Sequence, residues 1–127
     1  MTPSPHLIGA HQTLARAHEV MRRHGIRHLP VLSDGKLTGV VSDRDLHLIE
    51  TLSDVDPKKI LVEEAMSRDV FVVSSEAPLD EVALTMAEKK YGCAVVMDRE
   101  EVIGVFTVID ALVALARALG HQNVPPC

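Results

Sequence analysis

Two short stretches, GVVSDRD at 39–45 and GVFTVID at 104–110, share the spacing G-x-x-[ST]-x-x-D. A hydroxyl residue followed three positions later by an acid is the pattern of a capping box, in which each side chain bonds an exposed N–H group at a helix start. The same groups could hold a ligand, because a carboxylate accepts from both hydroxyls of a ribose and a hydroxyl donates to a phosphate. The stretches predict two helix caps, with a sugar–phosphate site as the alternative to caps alone.

The surroundings of the two stretches favour the ligand site. In both, an apolar strand leads into the helix start, where free N–H groups and a positive dipole end suit a phosphate. Gly39 and Gly104 remove a side chain three positions before the hydroxyl residue. A missing side chain there would let another group approach the backbone closely.

The two stretches belong to an internal repeat with an offset of 65 positions. Repeats of this kind indicate that one structural unit occurs twice. The identical pairs fall on pattern-bearing positions: Met1/Met66, Leu14/Leu79, Met21/Met86, Val31/Val96, Gly39/Gly104, Val40/Val105 and Asp45/Asp110.

Each half predicts the same order of elements: a short strand, a helix, a two-stranded hairpin and a second helix. In the first half these are 6–8, 12–24, 28–32 with 36–41, and 43 to about 52. In the second they are 70–73, 78–90, 93–97 with 102–106, and 108–119, preceded by a helical turn at VEEAM. The predicted domains are a first repeat at 1–52, a connection at 53–61, a second repeat at 62–120 and a flexible tail at 121–127.

A unit of about 60 residues is marginal alone, so the two should share a core. The prediction is an α/β (α+β) fold of two β-α-β-β-α repeats related by pseudo-two-fold symmetry, with stacked sheets and the helices outside. Corresponding loops of the two halves would then face one cleft.

The sequence resembles a tandem pair of cystathionine β-synthase (CBS) domains, the regulatory Bateman module, in a stand-alone bacterial type of protein. The resemblance covers nearly the whole chain and is closest at GIRHLPV followed by GVVSDRDL. It implies a sensor that binds AMP, ADP, ATP or S-adenosylmethionine in clefts between the repeats and signals through a protein partner or its own oligomer. Members of the family commonly form homodimers through their helices.

The resemblance also implies roles for particular residues. The family's aspartate holds the ribose and its hydroxyl residue lies near the phosphates, which carries over to Asp45 with Ser42 and to Asp110 with Thr107. Adenine in the family lies against the first extended segment and the strand with H-x-P. The corresponding positions are Ile8, His28, Leu29 and Pro30 in the first half, and Val73, Cys93 and Ala94 in the second.

The two halves are not equivalent. Asp43-Arg44 becomes Val108-Ile109 in the second half, and Cys93 stands where the first half has His28. Arg44 could face a phosphate, or it could pair with an acid on the surface. The first site is therefore predicted to be the more charged, and the second to be empty or to take a less charged ligand.

Composition excludes several other classes. The net charge of −5 argues against a nucleic-acid partner. No apolar run approaches the ~20 residues of a membrane span, and no signal peptide is evident. Cys93 and Cys127 form no framework, which favours a reduced, cytoplasmic protein.

No catalytic or metal site is predicted. The sequence offers no nucleophile–base pair and no phosphate loop, and the Asp43/His47 pair has no third ligand at a suitable spacing. The prediction is therefore a protein that is not an enzyme and has no obligatory cofactor. The alternative function is a ligand-free dimerisation or protein-interaction module, with the amphipathic ALVALARAL helix as a core or dimer face.

Overall fold

The computed structural model describes residues 2–3, 5–52 and 54–121. Met1, Cys127 and most of the predicted tail, 122–127, lie outside these residues. In chain order the described elements are β1 (Thr2–Pro3), β2 (Ile8–Gly9), α1 (Leu14–His24), β3 (His28–Ser33), β4 (Lys36–Ser42), α2 (Asp43–Glu50), α3 (Val62–Ala65), β5 (Val72–Ser74), α4 (Leu79–Lys89), β6 (Cys93–Asp98), β7 (Glu101–Thr107) and α5 (Val108–Ala118).

These elements divide into two compact units. The first unit is residues 6–70, and the second unit is residues 1–5 together with 71–127. The first unit holds a three-stranded sheet in the order β2-β3-β4, and the second holds a four-stranded sheet in the order β1-β7-β6-β5. Each sheet combines a parallel pair with an antiparallel hairpin. The predicted α/β (α+β) fold of two β-α-β-β-α repeats is confirmed.

Local sequence signals explain the helix ends. Thr13 caps α1 by accepting from the Arg16 N–H, and α1 ends at Gly25, whose φ of 62° is the left-handed conformation that glycine adopts without strain. The helix predicted at 78–90 begins one residue later than expected. Pro78 has extended backbone and occupies the N-cap position of α4, outside its first turn.

Each unit has its own aliphatic core. In the first unit, α1 buries Leu14, Ala17 and Met21 against the sheet. In the second, Val82 and Met86 of α4 pack with strand residues that include Phe106. The repeated pair Met21/Met86 is therefore core filling in both units. Among the described helices, none has the length and apolarity needed to cross a membrane.

The opening of each repeat pairs with the hairpin of the other repeat. Thr2 and Pro3 lie opposite Val105 and Gly104 in β7. At the equivalent place in the first unit, the Ser67 N–H donates to the Val40 carbonyl and the Val40 N–H to the Ser67 carbonyl, both at 2.9 Å. Each compact unit therefore contains the first residues of the other repeat. The sequence did not predict this exchange.

This exchange explains Gly39. A Cβ atom on Gly39 would lie 2.6 Å from Met66 Sδ and 2.7 Å from the Ser67 carbonyl oxygen. The close approach that the sequence predicted at this glycine is thus made by the chain itself. The Met1/Met66 identity in the repeat was the signal that could have pointed to it.

Candidate functional site

The start of α2 has the predicted capping box. Ser42 is the last residue of β4, and its Oγ accepts from the Asp45 N–H at 3.1 Å. In return Asp45 Oδ2 accepts from the Ser42 N–H at 2.8 Å. The end of β4 therefore positions the Ser42 hydroxyl, and the first turn of α2 positions the Asp45 carboxylate beside it.

The start of α5 repeats this arrangement in the second unit. Thr107 Oγ1 accepts from the Asp110 N–H at 3.2 Å, and Asp110 Oδ2 accepts from the Thr107 N–H at 2.8 Å. The Thr107 hydroxyl also lies 3.2 Å from Asp110 Oδ2 and donates to it. Both caps that the sequence predicted are confirmed.

The two helix starts differ in exposure and charge. Asp45 is half-buried, whereas Asp110 is buried and only 3% exposed. Beside Asp45, the side chain of Arg44 is exposed. The equivalent surface of the second unit is apolar, with Ile109 56% exposed. Of these two first turns, both within the described residues, that of α2 carries a cation and that of α5 does not.

His28 lies next to this helix start. It faces Ser42 across the hairpin of β3 and β4. Burial lowers the pKa of His28 below 6.5, with a further contribution from Arg27, while Asp45 and Asp43 act in the opposite direction. At neutral pH His28 is therefore an uncharged imidazole that can both donate and accept a hydrogen bond.

Cys93 holds the equivalent position opposite Thr107. Burial raises the pKa of its thiol to about 11. A protonated, buried thiol is a poor nucleophile and a weak hydrogen-bonding group. The second unit thus lacks the polar ring that the first unit places beside its cap.

The other predicted ligand contacts are largely in the core. Ile8 and Leu29 belong to the core of the first unit, and Ala94 belongs to that of the second. Pro30 is also buried, and Val73 is half-buried. Ile8, Leu29, Ala94 and Val73 pack in the core of their own unit. Contact of these residues or of Pro30 with a ligand stays a prediction.

The coupling between His28 and Asp45 can be tested directly. Because the Asp45 carboxylate favours the charged imidazole, Asp45→Asn should lower the pKa of His28 further below 6.5. An NMR titration of the histidine ring carbons measures this shift, with Asp110→Asn as the control in the other unit. An unchanged or raised His28 pKa in Asp45→Asn would contradict the coupling.

Within residues 2–3, 5–52 and 54–121, no three His, Cys, Asp or Glu side chains come together as a metal ion would require. The Asp43/His47 pair on α2 is 4.0 Å apart and mostly exposed. The start of α2 thus brings together exposed helix N–H groups, the Asp45 carboxylate and the neighbouring His28 imidazole.

Comparison with known proteins decides the family. The model of the CBS domain matches residues 1–48 and again residues 62–117. This chain belongs to the CBS domain family. The two matches correspond to the two halves of the internal repeat, so the protein is a tandem CBS pair.

Several relatives resemble this CBS pair over most of its length. It is 26% identical to the CBS domain-containing protein YhcV of Bacillus subtilis over 133 residues, which cover 98% of this chain and 94% of YhcV. The crystal structure of CBSX2 in complex with AMP is 26% identical, with a TM-score of 0.79 over 94% of both chains. A structure of the CBS domain pair of MJ0100 with 5-methylthioadenosine and S-adenosyl-L-methionine is 25% identical, with a TM-score of 0.74 over 91% of this chain and 92% of that one.

Proposed function

We propose that this CBS pair is a regulatory module that binds an adenosine nucleotide (AMP, ADP, ATP or a related compound) at the start of α2. Occupancy would reach a protein partner through a change of conformation or of oligomeric state. The observation that carries the proposal is the grouping of Asp45, Arg44 and His28 at one helix start. The AMP complex of a relative supports the choice of ligand class.

The capping box leaves Asp45 able to bind a ligand. Only Oδ2 takes part in the cap bonds found among the described residues. A carboxylate has about four acceptor positions, so Oδ1 can accept from a ribose hydroxyl while Oδ2 still caps the helix. The site would then be formed before the ligand arrives, which lowers the cost of ordering it.

The remaining groups suit the other parts of a nucleotide. The exposed Arg44 guanidinium would face the phosphates, together with the Ser42 hydroxyl and the positive end of α2. The uncharged His28 imidazole would hydrogen-bond the edge of the adenine. Each group matches one chemical part of the same ligand.

For the start of α5 we propose a less charged adenosine compound or no ligand. Asp110 is 3% exposed, and no basic residue follows Thr107 in the first turn. A thioether nucleoside, of the class present in the MJ0100 complex, would suit this apolar surface. The two helix starts would then discriminate between ligands by charge.

The proposal is tested by measuring the melting temperature of the chain without ligand and comparing it with the melting temperature in the presence of AMP, ADP, ATP, S-adenosylmethionine or 5-methylthioadenosine. Guanosine monophosphate serves as the control for the base. A ligand at a hundred times its dissociation constant should add about 2.7 kcal/mol to the free energy of unfolding. If no adenosine compound raises the melting temperature, the proposal fails.

A second candidate function is a ligand-free dimerisation module, which the apolar stripe on α5 favours. The stripe is formed by Val108, Leu112, Leu115 and Leu119, which are 47–80% exposed. Their spacing of four, three and four is that of a coiled-coil seam. This function requires a dimer without ligand, and we expect Leu112→Glu to make the chain monomeric in sedimentation equilibrium. Leu84→Glu, at an exposed leucine of α4, is the control that should leave the mass unchanged.

A further inference from the structure

Two histidine rings lie at the point where the chain enters the first unit. His6 is the first residue of that unit, and its ring stacks on the ring of His24 with centroids 3.6 Å apart and planes 16° apart. His24 is the last residue of α1. The stack therefore fastens the segment just before β2 to the end of a helix of the same unit.

The internal repeat supplies a counterpart for comparison. Phe71, 65 positions after His6, is where the chain returns to the second unit. Its ring stacks on Tyr91 with centroids 5.2 Å apart. In addition, the Phe71 carbonyl accepts a hydrogen bond from the Val95 N–H at 2.8 Å. The entry to the second unit thus has one fastening from its ring and another from its backbone.

The backbone fastening is missing at His6. The residue equivalent to Val95 is Pro30, which has no N–H group to donate. Of the two fastenings seen at Phe71, His6 keeps only the ring stack. The ring stack therefore contributes more to holding the entry segment at His6 than the stack does at Phe71. Both histidine rings can also be protonated.

The surroundings of His24 disfavour its protonation. Reduced hydration, followed by the positive charges of His6, Arg23 and Arg16, lowers the pKa of His24 below 6.5. Arg16 and Arg23 both belong to α1, and both pair with Glu19, at 3.2 and 3.3 Å. Glu19 is thus the acid next to these arginines, and it is already engaged by both.

We propose that the His6–His24 stack is a pH-sensitive latch that holds the entry segment and β2 to the first unit and opens on acidification. With at most one ring protonated, the stack is stable. With both protonated, two positive charges lie 3.6 Å apart and repel each other. Because the pKa of His24 is lowered in the folded chain, protonation of its ring opposes the closed state. The closed state keeps its full stability above pH 6.5 and loses stability as the pH falls below 6.5.

The consequence of opening is local. β2 is only two residues long and pairs with Val31 and Leu32 of β3. Its neighbour Ala10 donates to the Leu32 carbonyl at 2.8 Å. Release of His6 would therefore expose the amides of Ile8 and Ala10, while β5 of the second unit stays unaffected. The latch concerns the ligand-free chain and does not depend on nucleotide binding.

Amide exchange of the full chain without ligand, followed by NMR at pH 7.5 and pH 5.0, tests the latch. After division by the intrinsic rate at each pH, exchange at Ile8 and Ala10 should be about sevenfold faster at pH 5.0, the factor expected for two like charges at this distance in water. The amide of Val73 in β5, 65 positions after Ile8, is the internal control and should show a ratio close to one.

Two variants separate the latch from a general effect of acid. His6→Phe keeps a ring stack but removes the repulsion between two charged rings, so the ratio at Ile8 and Ala10 should fall well below that of the wild type. Pro30→Val restores the backbone donor and should also suppress the ratio, even if His6→Phe does not fold. Equal exchange at both pH values in the wild type would overturn the proposal, as would a wild-type ratio in either variant.

Discussion

Gly39→Ala is expected to lower the free energy of unfolding by about 1–3 kcal/mol, the range for overpacking a closely packed site. The new methyl group would lie 2.6 Å from Met66 Sδ and 2.7 Å from the Ser67 carbonyl oxygen. The sulfur can move, since methionine is flexible. The carbonyl oxygen cannot move freely, because it accepts from the Val40 N–H. Thermal or urea unfolding of wild type and variant measures the loss.

Gly9→Ala is the matched control. A Cβ on Gly9 would meet only the Gln12 side chain, at 3.5 Å or more, which is an ordinary contact. Its effect should stay within about 0.5 kcal/mol. Met66→Ala added to Gly39→Ala should recover only the part of the loss that the sulfur causes. If Gly39→Ala is as stable as the wild type, the segment at 66–67 is not held against β4 as the structure shows.

The elements were predictable because local residues determine their ends. The SDG turn at 33–35 specifies the first hairpin, and Asp34 and Gly35 have the positive φ values of 52° and 78° that such a turn requires. Gly25 ends α1, and the Ser42 and Thr107 caps begin α2 and α5. Each of these signals acts over four residues or fewer.

The exchange of the repeat openings was not predictable in the same way. Thr2 pairs with Val105, and Ser67 pairs with Val40. These contacts join distant parts of the chain, and no local propensity encodes them. The sequence therefore indicated that something approaches Gly39, and the structure was needed to identify the approaching group as Met66 and Ser67.

The difference between the two sites was predicted in part. The replacement of Asp43-Arg44 by Val108-Ile109 correctly indicated that the second helix start carries fewer charged side chains. Asp110 is buried, whereas its counterpart Asp45 is half-buried. This difference depends on the packing around each helix start, which identical residues cannot reveal. Whether any of the predicted residues contacts a ligand stays a prediction.

Asp45→Ala is expected to remove most of the stabilisation that an adenosine nucleotide provides. Hydrogen bonds to a charged group contribute about 1.5–3 kcal/mol each, so loss of the ribose contact should weaken binding about tenfold to a hundredfold. At a concentration a hundred times the wild-type dissociation constant, the gain of about 2.7 kcal/mol would fall to about 0.4–1.4 kcal/mol. Calorimetric melting of each variant with and without AMP measures the difference.

Asp110→Ala separates ligand binding from helix capping. Both substitutions remove the carboxylate of a capping box, which stabilises its helix by about 1 kcal/mol. Each variant is therefore compared with its own ligand-free form. If α2 begins the nucleotide site, Asp110→Ala keeps the AMP gain while Asp45→Ala loses it.

Arg44→Ala tests whether binding depends on the ligand's charge. Removal of a cation that faces phosphates should weaken the binding of ATP more than the binding of adenosine. Equal gains from AMP in Asp45→Ala and in the wild type would place the nucleotide elsewhere, even if the wild type binds it. Such a result would leave Ser42 and Asp45 as a helix cap alone.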